Sequence, residues 1–244
     1  MFLYAGYSDK GSFRDVNEDC MMINEKIKSE FEDTTAEWFH AVICDGVGGE
    51  AFGEIAARLA AEKMALLQKP YRWEGIQKHL EAANKEILSK QKVNPQYAGM
   101  ATTIAGVAFD EDVGTVYNIG DSRVYAYHGN LEQISSDHSG VHFMLSMNPK
   151  MHQNSITEAQ RHIILYCLGR EEDHHHARVC QESFKTNDML VISSDGLHDV
   201  LTLDDIQRIL TNSECLYEKC RALCDLAIEK GSQDNISVIV CKVV

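Results

Sequence analysis

The middle of the chain is patterned in short apolar and β-branched runs separated by polar turns. Residues 102–109, 113–119 and 123–128 read as strands, split by Asp110-Glu111-Asp112 and Gly120-Asp121-Ser122. Gly129-Asn130 then turns the chain into 131–134. Acidic and glycine turns between such segments are the signal of an antiparallel meander. Residues 3–8, 37–44, 188–193 and 235–243 are further strand candidates, several of them apolar on both faces, as expected for sheets covered on both sides. Helical spacing takes over elsewhere. Residues 50–69 place Ile55, Leu59 and Leu66 on one side and end at Pro70, and 71–92 repeat the period through Ile76, Leu80, Ala83 and Ile87. Ser155-Ile156-Thr157-Glu158 has capping-box spacing ahead of Ile163, Ile164 and Leu168, and 204–210 and 215–230 complete the helices. Strand runs mixed with amphipathic helices predict an α+β fold with helices packed on antiparallel sheets.

Composition narrows what such a fold does. With 244 residues the chain fits one large domain, and no linker or repeat divides it, so residues 1–244 are read as a single domain. The net charge of −14 argues against a nucleic-acid or anionic-membrane binder, whose surface would be basic. No apolar run approaches the ~18 residues of a membrane span, and Met1-Phe2-Leu3-Tyr4 lacks the basic start of a secretory signal, so a cytoplasmic protein is expected. The eight cysteines contain no CxxC pair and are read as reduced thiols, with Cys220 and Cys224 on a core-facing helix stripe. Tyr117, Tyr125 and Tyr127 are read as sheet packing, and His174-His175-His176 as a solvated loop.

The chemistry is suggested by where carboxylates fall. Asp45 ends the apolar run 41–44 and precedes Gly46-Val47-Gly48-Gly49; Asp195 ends 190–194 and precedes Gly196. Asp121 follows the run 116–120, and Asp234 immediately precedes 235–240. Asp-Gly at a strand end is a common turn signal, so any one of these is accounted for by turn chemistry. Four of them, with Glu18-Asp19 after Arg14, form a set of hard oxygen donors without a His/Cys cluster, which suits Mg²⁺ or Mn²⁺ over Zn²⁺ if the fold brings them together.

In order along the chain, Arg14-Asp15-Val16-Asn17-Glu18-Asp19, Asp45-Gly46-Val47-Gly48-Gly49, Ala101-Thr102-Thr103, Gly120-Asp121-Ser122-Arg123, Ser194-Asp195-Gly196-Leu197-His198-Asp199 and Gln233-Asp234-Asn235-Ile236-Ser237 resemble the ordered motifs of the metal-dependent protein phosphatase 2C family, in particular its compact bacterial members. The resemblance implies a four-layer αββα sandwich of two antiparallel sheets with the metal centre at one end. It implies that Asp45 bridges two Mg²⁺ or Mn²⁺ ions, with the Gly46 carbonyl contributing to the shell. Asp195 and Asp234 would complete one ion's shell, with Glu18 and Asp19 serving the other. Asp121 with Asp195 would hold a third, weaker ion, and Arg14 would grip the substrate phosphate. The implied reaction is hydrolysis of phosphoserine and phosphothreonine in proteins by in-line attack of a metal-bridging hydroxide, without a phosphoenzyme. The implied substrates are those of a cognate serine/threonine kinase, and a monomer is expected. The alternative is a catalytically silent pseudophosphatase that binds phosphoproteins; loss of a metal carboxylate would mark it, and none is missing.

Two segments depart from the family pattern. Val47 stands where some members carry a His proposed to protonate the leaving group. In the flap, about residues 140–170, the chain reads Arg161-His162-Ile163-Ile164-Leu165-Tyr166-Cys167-Leu168-Gly169 where members often show His-Pro and Arg-Asn. His138, in Asp137-His138-Ser139, is expected to play a local structural part.

Overall fold

The computed structural model describes residues 1–47, 52–148, 157, 163–212 and 214–244. Its strands are β1 (Phe2–Asp9), β2 (Asp19–Ile23), β3 (Lys26–Ile27), β4 (Glu30–Ala36), β5 (His40–Asp45), β6 (Ile104–Asp110), β7 (Val113–Ile119), β8 (Arg123–Tyr127), β9 (Leu131–Gln133), β10 (Arg178–Ser183), β11 (Met189–Ser193) and β12 (Ile236–Val243). The helices are α1 (Gly53–Met64), α2 (Trp73–Val93), α3 (Gly140–Met147), α4 (Asp195–His198), α5 (Leu203–Leu210) and α6 (Leu216–Glu229). Two six-stranded sheets form, ordered β4-β1-β12-β11-β8-β9 and β10-β7-β6-β5-β2-β3, and every pairing recorded within them is antiparallel.

Three apolar layers explain the stacking. Between the sheets, Phe39, Ile43, Val107 and Phe109 of the second meet Phe2, Val124, Ile192 and Ile239 of the first. The outer face of the second sheet buries Val42, Cys44 and Tyr117 under Ala57, Ala60 and Met64 of α1 and Ile76, Leu80 and Ile87 of α2. The outer face of the first sheet buries Val191, Val238 and Val240 under Ile206 of α5 and Cys220, Leu223 and Cys224 of α6. Strands covered on both faces are apolar at consecutive positions, which is why residues 40–44, 104–109 and 236–241 read as continuous runs. The four-layer αββα sandwich, the core-facing Cys220 and Cys224 and the packed Tyr117 and Tyr125 agree with the sequence reading.

Other expectations are corrected. The first long helix ends at Met64, before Pro70, because the chain leaves the helix through turns at residues 65–67. The described part of the segment expected to be helical before Leu168 is extended, with Ile164 bridging Ser139 and Leu168 bridging Thr102. Its capping residues Ser155, Ile156 and Glu158, with Gly48, Gly49, Arg161 and His162, lie outside the described residues. The helix α3, absent from the sequence reading, forms instead after Ser139, whose hydroxyl accepts from the His142 amide at 3.2 Å. Strands β2, β3, β4 and β10 also went unread: β3, β4 and β10 are sheet edges, along β4 only Phe31 is buried, and the interior β2 has a buried run of only Met21-Met22-Ile23. The triple histidine forms a short 3₁₀ turn in which His174 is buried against Asn84 and His176 stacks on Tyr166 at 3.7 Å.

A buried histidine in the second sheet gives the fold a pH dependence. The His40 Nε2 lies 2.8 Å from the Tyr117 hydroxyl, and burial pushes its pKa down to about 3. The folded value is below the unfolded one of about 6.5, so the unfolded chain binds the extra proton between them. Stability is therefore full above pH 6.5 and falls as the pH drops toward 3. His40→Gln, which keeps a partner for Tyr117, is expected to flatten the fall in melting temperature between pH 6.5 and 4 in scanning calorimetry; an unchanged slope would assign that fall to other groups.

Candidate metal centre

The carboxylates gather at one end of the sandwich because strand pairing brings their positions into register. Asp19 opens β2 and Asp45 closes β5, and the two are directly paired across the strands. One step further, the Gly46 amide donates to the Glu18 carbonyl at 3.2 Å. In the other sheet, Asp195 follows β11 and Asp234 precedes the adjacent β12. Asp121 lies in the turn between β7 and β8.

Neutral side chains hold this end together. Thr102 Oγ1 donates to the Asp45 carbonyl at 2.8 Å, the Thr103 amide donates to the same carbonyl at 2.8 Å, and Thr103 Oγ1 accepts from the Asp45 amide at 3.2 Å. Between the sheets, Asn235 Oδ1 accepts from the Glu18 amide at 2.8 Å, and its Nδ2 donates to the Lys10 and Val16 carbonyls, both at 2.9 Å. The hydroxyls of Ser194 and Ser237 both donate to Asp19 Oδ2, at 2.8 and 2.6 Å. Asp137 grips Arg123 at 2.6 Å, and His138 clamps the intervening turn by accepting from the Gly120 amide at 3.1 Å while its own amide donates to the Gly120 carbonyl at 2.8 Å. The expected structural part of His138 is thus seen, and burial lowers its pKa to about 4.

Each glycine after an aspartate is also required by packing. A Cβ on Gly46 would stand 2.5 Å from the Gly53 carbonyl carbon at the start of α1, and one on Gly196 would stand 2.2 Å from the Asn235 carbonyl oxygen. These close approaches seat α1 against the β5 end and α4 against the β12 start.

The electrostatics are those of crowded, desolvated acids. Burial raises the Asp45 and Asp195 pKa values well above the usual carboxylate range; for Asp45 the next cause is the charge of Asp195, and for Asp195 it is Asp121. Burial lifts Asp19 to about 7 despite its two serine donors, and lifts Asp121 to about 7 with help from Asp137. Glu18 is raised by burial and then by Glu54. Among the described residues three buried carboxylate oxygens, Oδ1 of Asp19, Asp121 and Asp195, have no hydrogen-bond partner. A buried oxygen without a donor is costly, and a cation is the partner that satisfies several at once. The donor set is therefore hard, anionic and undersatisfied, which fits Mg²⁺ or Mn²⁺. Among the described residues no three His, Cys, Asp or Glu side chains close tightly enough to grip an ion as they stand.

Arg14 stands at the mouth, its Nη2 2.6 Å from Asp234 Oδ2. It lines a cleft of about 1010 Å³ together with Asp121, Asp199 and Asp234, while Asp19, Asp45 and Asp195 are not among the lining residues. Asp199 was not singled out from the sequence as a site residue, yet its charge raises both Asp121 and Asp195. The signal available was its position one helical turn beyond Asp195, where the Asp199 amide donates to the Asp195 carbonyl at 2.8 Å.

Known proteins resemble this chain in sequence and in fold. A serine/threonine phosphatase stp of Listeria innocua is 28% identical over 246 residues, covering 96% of this chain and 92% of its own. The serine/threonine protein phosphatase PstP of Mycobacterium tuberculosis is 28% identical over 99% of this chain, which spans 45% of that protein. The crystal structure of the serine/threonine phosphatase Stp1 from Staphylococcus aureus superposes with a TM-score of 0.87 at 26% identity, covering 100% of this chain and 96% of that one. The PstP catalytic domain in complex with two manganese ions superposes with a TM-score of 0.80 at 26% identity, covering 100% of both chains. The family described as protein phosphatase 2C matches residues 28–227, and the chain belongs to that family.

Proposed function

We propose that the chain is a Mg²⁺- or Mn²⁺-dependent protein phosphatase that hydrolyses phosphoserine and phosphothreonine. The observation that carries this reading is the set of partnerless buried oxygens of Asp19, Asp121 and Asp195 at the aligned ends of both sheets. In this reading Glu18, Asp19, Asp45, the Gly46 carbonyl, Asp195 and Asp234 hold two ions, and Asp121 with Asp195 holds a third. Bound divalent ions supply Lewis acidity toward the phosphoryl oxygens and lower the pKa of water. The protein groups do the rest. Arg14 has donors left over from its bond to Asp234, so it orients a phosphate without giving up that partner. Asn235 and Ser237 keep the two sheet ends at fixed separation while the acids change partners. Water is the nucleophile, so no phosphoenzyme forms. Val47 provides no proton for the leaving alkoxide, and His138 is held in the Gly120 turn through its Nδ1, which accepts from the Gly120 amide. Phosphoproteins made by a serine/threonine kinase are the substrates in this reading, and the enzyme works as a cytoplasmic monomer. Among the described residues no helix is long and apolar enough to cross a membrane.

The test has two readouts. Phosphate release from a phosphothreonine peptide should require Mn²⁺ or Mg²⁺ and stop with chelator. Mn²⁺ at about 100 times its Kd should stabilise the protein by about 2.7 kcal/mol. At roughly 2–4 °C per kcal/mol for a chain of this size, the melting temperature should rise by about 5–10 °C. A melting temperature indifferent to Mn²⁺ would remove the metal assignment.

A further inference from the structure

Helix α3 is unusual for its exposure. Five of its eight residues are apolar (Val141, Phe143, Met144, Leu145 and Met147), and none of these five is buried; Phe143 is 55% exposed and Met147 73%. Phe13 is 65% exposed on the loop that also carries Arg14. Val141 and Leu145 of α3, Phe13, and Val200 after α4 all line the same cleft as Arg14 and Asp234. Solvent-exposed apolar side chains gathered along a cleft mark a contact surface.

The dimensions and charges of the cleft identify the contact. Its volume of about 1010 Å³ is at the upper end of pockets that enclose a whole drug-sized ligand, more room than one phosphorylated side chain takes. An extended peptide advances about 3.3–3.6 Å per residue, so side chains two positions from the phosphorylated residue stand about 7 Å along the chain from it and point to the same side. Of the two arginines of the wall, Arg123 is paired with Asp137, and Arg14 is paired with Asp234 with its remaining donors facing the phosphate, so neither is offered to an acidic flank. Asp199, which is assigned to no ion, adds negative charge to the same wall, so acidic flanking residues are repelled. Apolar ones find a surface that gains from being covered.

We propose that Phe13, Val141, Leu145 and Val200 form a subsite for apolar side chains next to the phosphorylated residue, so that the substrates are phosphoproteins with apolar flanks. This rests on the phosphatase reading above and names the substrate class of that site.

Three phosphothreonine peptides differing only at the positions two before and two after the phosphothreonine (Leu, Ser or Glu) separate the possibilities. With Mn²⁺ the Leu peptide should exceed the Ser peptide in kcat/KM by about tenfold, with the Glu peptide lowest. Leu145→Ser and Val141→Ser should each bring the Leu-to-Ser ratio to within about twofold of unity. They should also lower turnover of the Leu peptide relative to p-nitrophenyl phosphate, which has no flanks. Fluorescence anisotropy of the same peptides in chelator gives a readout without turnover and should rank Leu above Ser. Equal kcat/KM and equal binding for Leu and Ser peptides would overturn the subsite, as would a Leu preference that survives both substitutions. Absence of metal-dependent turnover on every substrate, with the Leu-over-Ser order of binding intact and lost in Leu145→Ser, would leave the subsite standing and overturn the phosphatase reading instead.

Discussion

Asp195→Asn is expected to lower phosphopeptide turnover by about 10³-fold or more while making the metal-free protein more stable. The two effects have one origin. Asp195 carries a buried oxygen without a partner and has its pKa raised by burial and by Asp121, Asp199 and Asp234, so its charge opposes folding when no cation is present. Replacing the carboxylate by an amide relieves that repulsion by roughly 1–3 kcal/mol and raises the metal-free melting temperature by several degrees. The same substitution removes an anionic donor, and the several kcal/mol of transition-state charge stabilisation that bound ions supply corresponds to about a thousandfold at 1.36 kcal/mol per decade. Steady-state kinetics in Mn²⁺ and calorimetry in chelator measure the two halves. A variant with unaltered turnover would dismiss Asp195 as a ligand; one both less active and less stable without metal would make Asp195 a structural residue.

Arg14→Ala is expected to reduce kcat/KM for a phosphopeptide by about 10–100-fold, chiefly through KM. A charge-assisted hydrogen bond contributes roughly 1.5–3 kcal/mol, and a guanidinium offers the phosphate two in parallel. Arg14 is about one-third exposed at the cleft mouth, and its salt bridge to Asp234 is solvent-screened, so losing that bridge costs little stability. Arg14→Lys should recover only part of the loss, since an ammonium is not a planar fork. Mn²⁺ titration followed by melting temperature should show metal affinity changing less than KM does. An unchanged KM would place Arg14 outside the phosphate site.

The candidate site was legible to different depths. Asp45, Asp121, Asp195 and Asp234 stood out because each abuts an apolar run that is continuous in sequence, and the structure keeps each at a strand terminus. The residues that hold them did not stand out. Thr102, Thr103, Ser194, Asn235 and Ser237 are neutral and common, and their part depends on partners up to 225 positions away, as for Asn235 and Lys10. The Arg123–Asp137 clamp was equally silent, although both residues lay within quoted motifs. In the fold, the longer segments buried on both faces were read as strands, while the short β2 and β3, the edges β4 and β10 and the solvent-facing helix α3 were missed. Burial imposes the periodicity that a sequence displays, and elements that bury little carry little of it.

The sequence by itself determined the class of fold, the order of its main strands and helices, and the identity of the acidic donors, because hydrophobic periodicity and turn chemistry act over a few neighbouring residues. Tertiary structure alone decided that Asp19 faces Asp45 across β2 and β5, and that Asp195 and Asp234 sit at the same end on the second sheet. It also decided that Phe13, Val141, Leu145 and Val200 line the same cleft as Arg14. Those are relations between residues distant along the chain, fixed by strand register and sheet stacking, and no local pattern encodes them.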